Sequence, residues 1–349
     1  MKGFGMIKAG EAAWLEKERP VCGPLDAIVK PTIVAPCSSD THAYHTAAYT
    51  DRILGHEAVG IVEEVGELVT KFKPGDEVVV PCCTPNWLAS NMQEMLYTAH
   101  DEGLMASFKY LGAKDGVFGE VFHVNQADAN LVHMMDGVKP EAALMTVDMM
   151  STGFHAVENA EIKFGDTVCV IGIGPVGLMA VAGCAIRGAS RIIAVGTRPK
   201  CVEAAKEYGA TDIVSYKTGD IVEQVKELTG GGVDKTIIAG GNADTMLQAI
   251  MMTKPMGIVS NVNFFDFSAE FKIPALAWGL GMANIDIRGG FCPGGARRIE
   301  RMMELIKYGR IDTTKIISHT FHGFDKIEDA FWLMDSKVPE LIKPIVYID

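Results

Sequence analysis

Four side chains in this 349-residue chain have the chemistry of a catalytic metal site: Cys37, His56, Glu57 and Asp148. They offer a thiolate, an imidazole and two carboxylates from three separated segments. Catalytic zinc takes about three protein ligands and keeps one position open for water or substrate. Such ligands come from distant parts of a chain, whereas structural zinc sites use compact Cys pairs. Asp40 is placed to accept from the far nitrogen of His56 and fix its orientation. A zinc ion that polarises an alcohol oxygen eases loss of the hydroxyl proton, and hydride can then leave for a nicotinamide. Ser39 and His42 would relay the proton outward. Each part also has a plainer reading. Pro36 to His42 has the composition of a capped helix start, and His42 alone is an ordinary loop histidine. Asp148, in the apolar run MTVDMMSTGFHA, needs a partner in any case. An Arg, backbone amides and a cation are the open alternatives.

A second constellation lies in Thr167 to Gly188. The apolar run Val168 to Ile171 predicts a strand buried on both faces. Gly172, Gly174 and Gly177, with Ile173, Pro175 and Val176 between them, follow at G-x-G-x-x-G spacing, and an apolar segment of helical length comes next. The spacing is weak evidence alone. In a strand–turn–helix context it predicts a dinucleotide turn, with the pyrophosphate at the helix start. A carboxylate about twenty residues later would hold the adenine ribose of NAD and repel a 2′-phosphate. Gly196, Thr197 and Arg198 stand there instead. Glycine leaves room, threonine donates, and arginine grips a phosphate through several N–H groups. Arg198 also reads as a surface charge near a helix start. The missing acid beside it favours NADP.

These groups need a scaffold. Residues 1–35 read as short strands, and the glycine-punctuated alternation from 59 to 81 reads as a bent β-domain or barrel. Adjacent Cys82 and Cys83 read as two buried thiols lining a core or pocket, in the least readable stretch, 82–115. A single helix is expected over Pro140–His155. From Thr167 onward, strands near 191–195, 212–216, 233–239, 257–263 and 284–289 alternate with helices, which predicts a doubly wound βαβ series. Length allows two domains. A net charge of −12 argues against nucleic acid as a partner, and no apolar run is long enough for a bilayer. The N-terminus lacks a signal-peptide pattern, and eight cysteines without one predict reduced thiols and a cytoplasmic location.

The sequence resembles the zinc-dependent medium-chain alcohol dehydrogenases, and among them the NADP-linked secondary-alcohol dehydrogenases of anaerobic microbes. The segments MKGF, APCSSDTH, LGHEAVGIVEEVG, KDGVFGE, FHVN, DMMSTGFHA, VIGIGPVGLM, GTRPKCVEAAKEYGATDI, FCPGG and LIKP carry the likeness nearly end to end. The resemblance implies an α/β fold in which a Rossmann doubly wound parallel sheet (152–292) is inserted into a GroES-like β-rich catalytic domain (1–151 and 293–349). It implies Cys37, His56 and Asp148 as zinc ligands, Glu57 as a carboxylate that can swing into coordination, and Ser39 with His42 as the proton relay. It also implies further NADP contacts from Tyr216, from Val262, Asn263 and Phe264 beneath the nicotinamide half, and from Lys337. Small alcohols, ketones and aldehydes are the implied substrates and a homotetramer the implied assembly. Three departures stand out. The region 82–115 lacks four closely spaced cysteines, so no structural zinc is expected. The stretch between Thr41 and Asp51, which borders the pocket in the family, is a few residues shorter. Phe108 takes the place of a pocket tryptophan, with Cys82, Cys83 and Phe291 as further wall residues. A zinc-free quinone or enoyl reductase, a polyol or amino-alcohol dehydrogenase, and a non-catalytic nucleotide-binding protein are the competing readings. The four candidate ligands weigh against the first, and their retention with Ser39 and His42 weighs against the last.

Overall fold

The computed structural model describes residues 1–46, 50–94, 99–110, 112–265 and 268–348. The chain divides into two compact units, Met1–Ser151 with Cys292–Asp349, and Thr152–Phe291. In the first, a seven-stranded sheet runs in the order Ile317–His322, Lys343–Tyr347, Ala27–Val34, Ala58–Val65, Glu77–Val80 and Val132–His133. Phe122–Val124 also pairs with Ala27–Val34. The pairing of Ala27–Val34 with Ala58–Val65 is antiparallel and shifts register twice, after Ile28 and after Pro31. Such bulges bend a strand and increase its twist, so this sheet curls around the buried side chains of Val29, Val34, Val62, Val78 and Phe122. A smaller sheet orders Glu11–Glu16, Lys2–Lys8 and Arg52–Ile53.

The second unit is a six-stranded sheet with every neighbouring pair parallel. Its order is Asp212–Val214, Arg191–Val195, Thr167–Ile171, Val233–Ile238, Thr253–Asn261 and Asp286–Gly289. This is the doubly wound order, with the chain reversing its direction of travel beside the first strand, Thr167–Ile171. Val168, Cys169 and Val170 are wholly buried, as a strand covered on both faces requires. Among the described residues no helix is long and apolar enough to cross a membrane.

The segment expected to be one helix over Pro140–His155 is three pieces. An α-helix over Pro140–Leu144 gives way to a π-helical turn over Thr146–Met150, and α-helix resumes over Ser151–Asn159. A π turn holds one residue more than an α turn, and such turns gather at functional positions. Asp148 sits in the middle of this one.

Candidate active site

Cys37 is the N-cap residue of the helix Ser38–His45, so the helix-start reading of this segment is met. The carboxylate of Asp40 accepts from the Cys37 N–H at 2.9 Å, from the Gly55 N–H at 3.1 Å, and lies 3.2 Å from Nδ1 of His56. One buried acid therefore ties together the two chain segments that carry the thiolate and the imidazole. His56 and Glu57 immediately precede the strand Ala58–Val65, and both are buried.

These segments bring Cys37, His56, Glu57 and Asp148 into one cluster, with one donor atom from each within 4.8 Å of all the others. The Cys37 Sγ is 3.4 Å from Oδ2 of Asp148. His56 Nε2 is 3.5 Å from the same oxygen and 3.8 Å from Oε1 of Glu57. Yet His56 Nε2 and Glu57 Oε2 are buried with no hydrogen-bond partner, an arrangement that costs about 1–3 kcal/mol per group unless something satisfies them. The electrostatics point the same way. Burial pushes the Cys37 thiol above its ordinary value and Glu57 up to about 7, with Lys343 pulling both the other way. Burial alone would lower His56, but Asp40, Asp148 and Cys37 outweigh it and raise it. Surroundings that favour a proton on a buried imidazole and penalise several neighbouring anions favour a cation among them. The donor set, one sulfur, one nitrogen and carboxylate oxygens, suits zinc.

Lys343 completes the cluster and was missed by sequence reasoning. It is wholly buried, and its Nζ donates to Oε1 of Glu57 at 2.5 Å. Burial works against the ammonium, but Glu57, Cys37 and Asp148 more than offset it and hold the lysine charged. A cation inside the apolar strand run LIKPIVYI was the available signal, because a lysine there must find a counter-charge.

Ser39 and His42 are exposed on the helix Ser38–His45 and, three positions apart, share a face. Ser39 Oγ is 3.7 Å from the Cys37 Sγ. Phe108 meets His56 edge-on, ring centroids 5.0 Å apart, and Cys82 and Cys83 are buried. Phe291 belongs to the other unit. The shortened stretch between Thr41 and Asp51 lies partly outside the described residues, as does part of 82–115. Within 82–110, the buried carboxylate of Asp101 gathers the chain by accepting from the N–H groups of Asn86 and Glu102 and from Lys109 Nζ.

In the second unit, the strand Thr167–Ile171 leads through Gly172, Ile173 and Gly174 into the helix Pro175–Ile186, with Pro175 in its first turn and Val176 next. A Cβ on Gly177 would stand 1.8 Å from the carbonyl oxygen of Gly172, so only glycine lets this helix close on the turn. Gly196 is also required sterically, for another reason than the sequence suggested. Its missing Cβ leaves space filled by the Ile173 side chain, whose Cγ1 would be 2.2 Å away. Thr197 Oγ1 donates to the Tyr216 hydroxyl at 2.7 Å, across the ends of adjacent strands. Arg198, the N-cap residue of the helix Pro199–Glu207, brings Nη2 to 3.7 Å from the position a Gly174 Cβ would take. Thr197, Arg198 and Tyr216 thus cluster beside the glycine turn. Val262, Asn263 and Phe264 follow the strand Thr253–Asn261. Lys337 lies in the first unit, exposed, ending the helix Ile327–Ser336 in a left-handed conformation.

A GroES-like β-unit carrying a buried thiol–imidazole–carboxylate set, and a Rossmann unit with its glycine turn, define a zinc-type medium-chain dehydrogenase. The chain belongs to the zinc-type alcohol dehydrogenase family. Residues 23–137 match the alcohol dehydrogenase GroES-like domain and residues 175–308 the zinc-binding dehydrogenase domain. It is 55% identical over its full length to the full-length NADP-dependent isopropanol dehydrogenase of Thermoanaerobacter brockii, and 52% identical to that of Clostridium beijerinckii, again with both chains covered. Among solved structures, an alcohol dehydrogenase from Thermus sp. ATN1 superposes over the whole of both chains with a TM-score of 0.86 at 30% identity.

Proposed function

We propose that this chain is an NADP-dependent, zinc-dependent oxidoreductase that interconverts small secondary alcohols, and some primary ones, with ketones and aldehydes. The observation that carries the proposal is the buried four-donor cluster with unpartnered atoms on His56 and Glu57. The isopropanol dehydrogenases to which the chain is similar support the substrate class. Zinc, when bound, supplies Lewis-acid polarisation of the substrate oxygen, and NADP supplies the hydride carrier.

The chain's own residues do the rest. Cys37, His56 and Asp148 would hold the ion, and Asp40 fixes the ring of His56. Glu57, tied to Lys343, is a carboxylate that can swing into coordination. Ser39 Oγ takes the hydroxyl proton, and the exposed His42 imidazole passes it to solvent. Phe108, Cys82 and Cys83 shape the substrate wall. The turn Gly172–Gly177 receives the pyrophosphate on the N–H groups of the helix start. Thr197, Arg198 and Tyr216 take the 2′-phosphate, with Gly196 seating Ile173 beneath them. Val262, Asn263 and Phe264 line the nicotinamide half, and Lys337 is a further phosphate contact. The proposal includes one catalytic zinc per subunit, no structural zinc, a homotetramer and a cytoplasmic location. Residues 152–292 form the NADP-binding domain, and 1–151 with 293–349 the catalytic domain.

Metal analysis run beside NADPH oxidation with acetone, acetaldehyde and a bulkier ketone tests this reading. Bound zinc and ketone-dependent oxidation are expected. Full turnover by metal-free protein would remove the zinc chemistry.

A further inference from the structure

Three thiols meet beside Asp148, although one of them comes from far along the chain. Cys82, Cys83 and Cys292 are all buried. The Sγ atoms of Cys82 and Cys83 are 4.0 Å apart. Cys82 Sγ, Cys292 Sγ and a carboxylate oxygen of Asp148 all lie within 4.8 Å of one another. The backbone of the π turn fixes this meeting. The Val147 carbonyl accepts from the Cys82 N–H at 3.4 Å and lies 3.7 Å from the Cys292 Sγ. Nearby, the Tyr110 hydroxyl is buried without a hydrogen-bond partner and lies within electrostatic reach of Cys82 and Cys83.

A single buried thiol is a small apolar filler and signifies little. Two thiols and a carboxylate with their donor atoms this close are a coordination set, and sulfur ligands select soft cations over magnesium or calcium. We propose that Cys82, Cys292 and Asp148 form a second metal site, for a soft thiophilic divalent cation, with Cys83 as an additional sulfur. Each thiol gives up its proton as its sulfur–metal bond forms, so no oxidant is required. The two sets share one residue. Asp148 has two carboxylate oxygens, and a cation held by the sulfur-rich set draws on the same side chain that closes the set of Cys37, His56 and Glu57. The second site goes beyond the proposed function and does not require the first set to be filled.

Cadmium is the probe. The full-length protein as purified, its zinc content measured first, is titrated with cadmium chloride and desalted. Both metals are then quantified, and the ultraviolet sulfur-to-cadmium charge-transfer band is recorded. Retention of an equivalent of cadmium in addition to the original metal, with the band, is expected. Cys82→Ser/Cys292→Ser should lose that added cadmium and its band while keeping the original metal. Cadmium that only displaces zinc, or equal uptake by the double variant, overturns the site. X-ray absorption at the cadmium edge of the unmodified protein decides the matter even if the double variant does not fold. At least two sulfurs around the added cadmium support the site, and the single sulfur that Cys37 alone can give refutes it. Failure of the zinc reading would show separately, as absence of zinc before any cadmium is added.

Discussion

Lys343 and Glu57 form a buried ion pair across 286 positions of sequence, with Nζ 2.5 Å from Oε1. Both side chains are wholly buried, so neither charge has water to fall back on. Removing one partner of such a pair costs about 3–5 kcal/mol, because the other charge is left uncompensated. Lys343→Met should lose that much in denaturant unfolding, and adding Glu57→Gln should recover a large part of it. A single variant within about 1 kcal/mol of the parent would mean the pair carries little.

Asp40 bridges the two ligand segments through the Cys37 N–H, the Gly55 N–H and His56 Nδ1. Losing the carboxylate that orients a metal-binding histidine weakens metal affinity roughly 10–100-fold. Asp40→Asn should show that loss in competition against a chromophoric chelator, without removing any atom proposed to touch the ion. Unchanged affinity would reduce Asp40 to a helix cap.

Arg198 is the charged member of the cluster with Thr197 and Tyr216. Hydrogen bonds to a charged group contribute about 1.5–3 kcal/mol, so Arg198→Ala should lower kcat/KM for NADPH roughly 10–100-fold. The value for NADH should change little. Equal losses with both coenzymes would contradict a 2′-phosphate role.

Asp101 holds the 82–110 stretch together, and its pKa responds to that work. Burial alone would raise it, but the Asn86 and Glu102 N–H groups and Lys109 outweigh burial and hold the carboxyl below the usual range. A folded-state value below the unfolded one means stability that is present above about pH 4 and lost as pH falls through the lowered value. Asp101→Ala should cost about 1–3 kcal/mol at neutral pH by leaving part-buried donors unpaired. It should also flatten the acid limb of the stability profile. A parallel acid limb in parent and variant would show that this carboxylate titrates alike in both states.

Much of the scaffold could be read from local pattern. The strand Thr167–Ile171, the glycine turn and the alternation after it announce themselves over short windows, because a buried parallel strand is a continuous apolar run. The donors of the candidate metal cluster were legible by type and by the neighbours of Cys37 and His56. The pairing of Glu57 with Lys343 was not, since no local rule links positions so far apart. The arrival of Cys292 beside Cys82 was hidden for the same reason. The π turn escaped for another. Thr146 and Asp148 are buried together with Met145, Val147, Met149 and Met150, so the segment has no exposed face to betray one residue too many.

That surplus residue makes the candidate metal cluster sensitive to chain length as well as to side-chain identity. Each helical residue turns the backbone by about 100°. Deleting Thr146, Val147, Met149 or Met150 would relax the turn to ordinary α-helix. Inside the turn the remaining side chains would shift by up to about that angle, while the helices on either side would keep their phase. Asp148 would swing off its aim while every donor named here remained in the gene. In descendants of this chain, a one-codon gap in that turn would silence the centre as surely as losing a ligand.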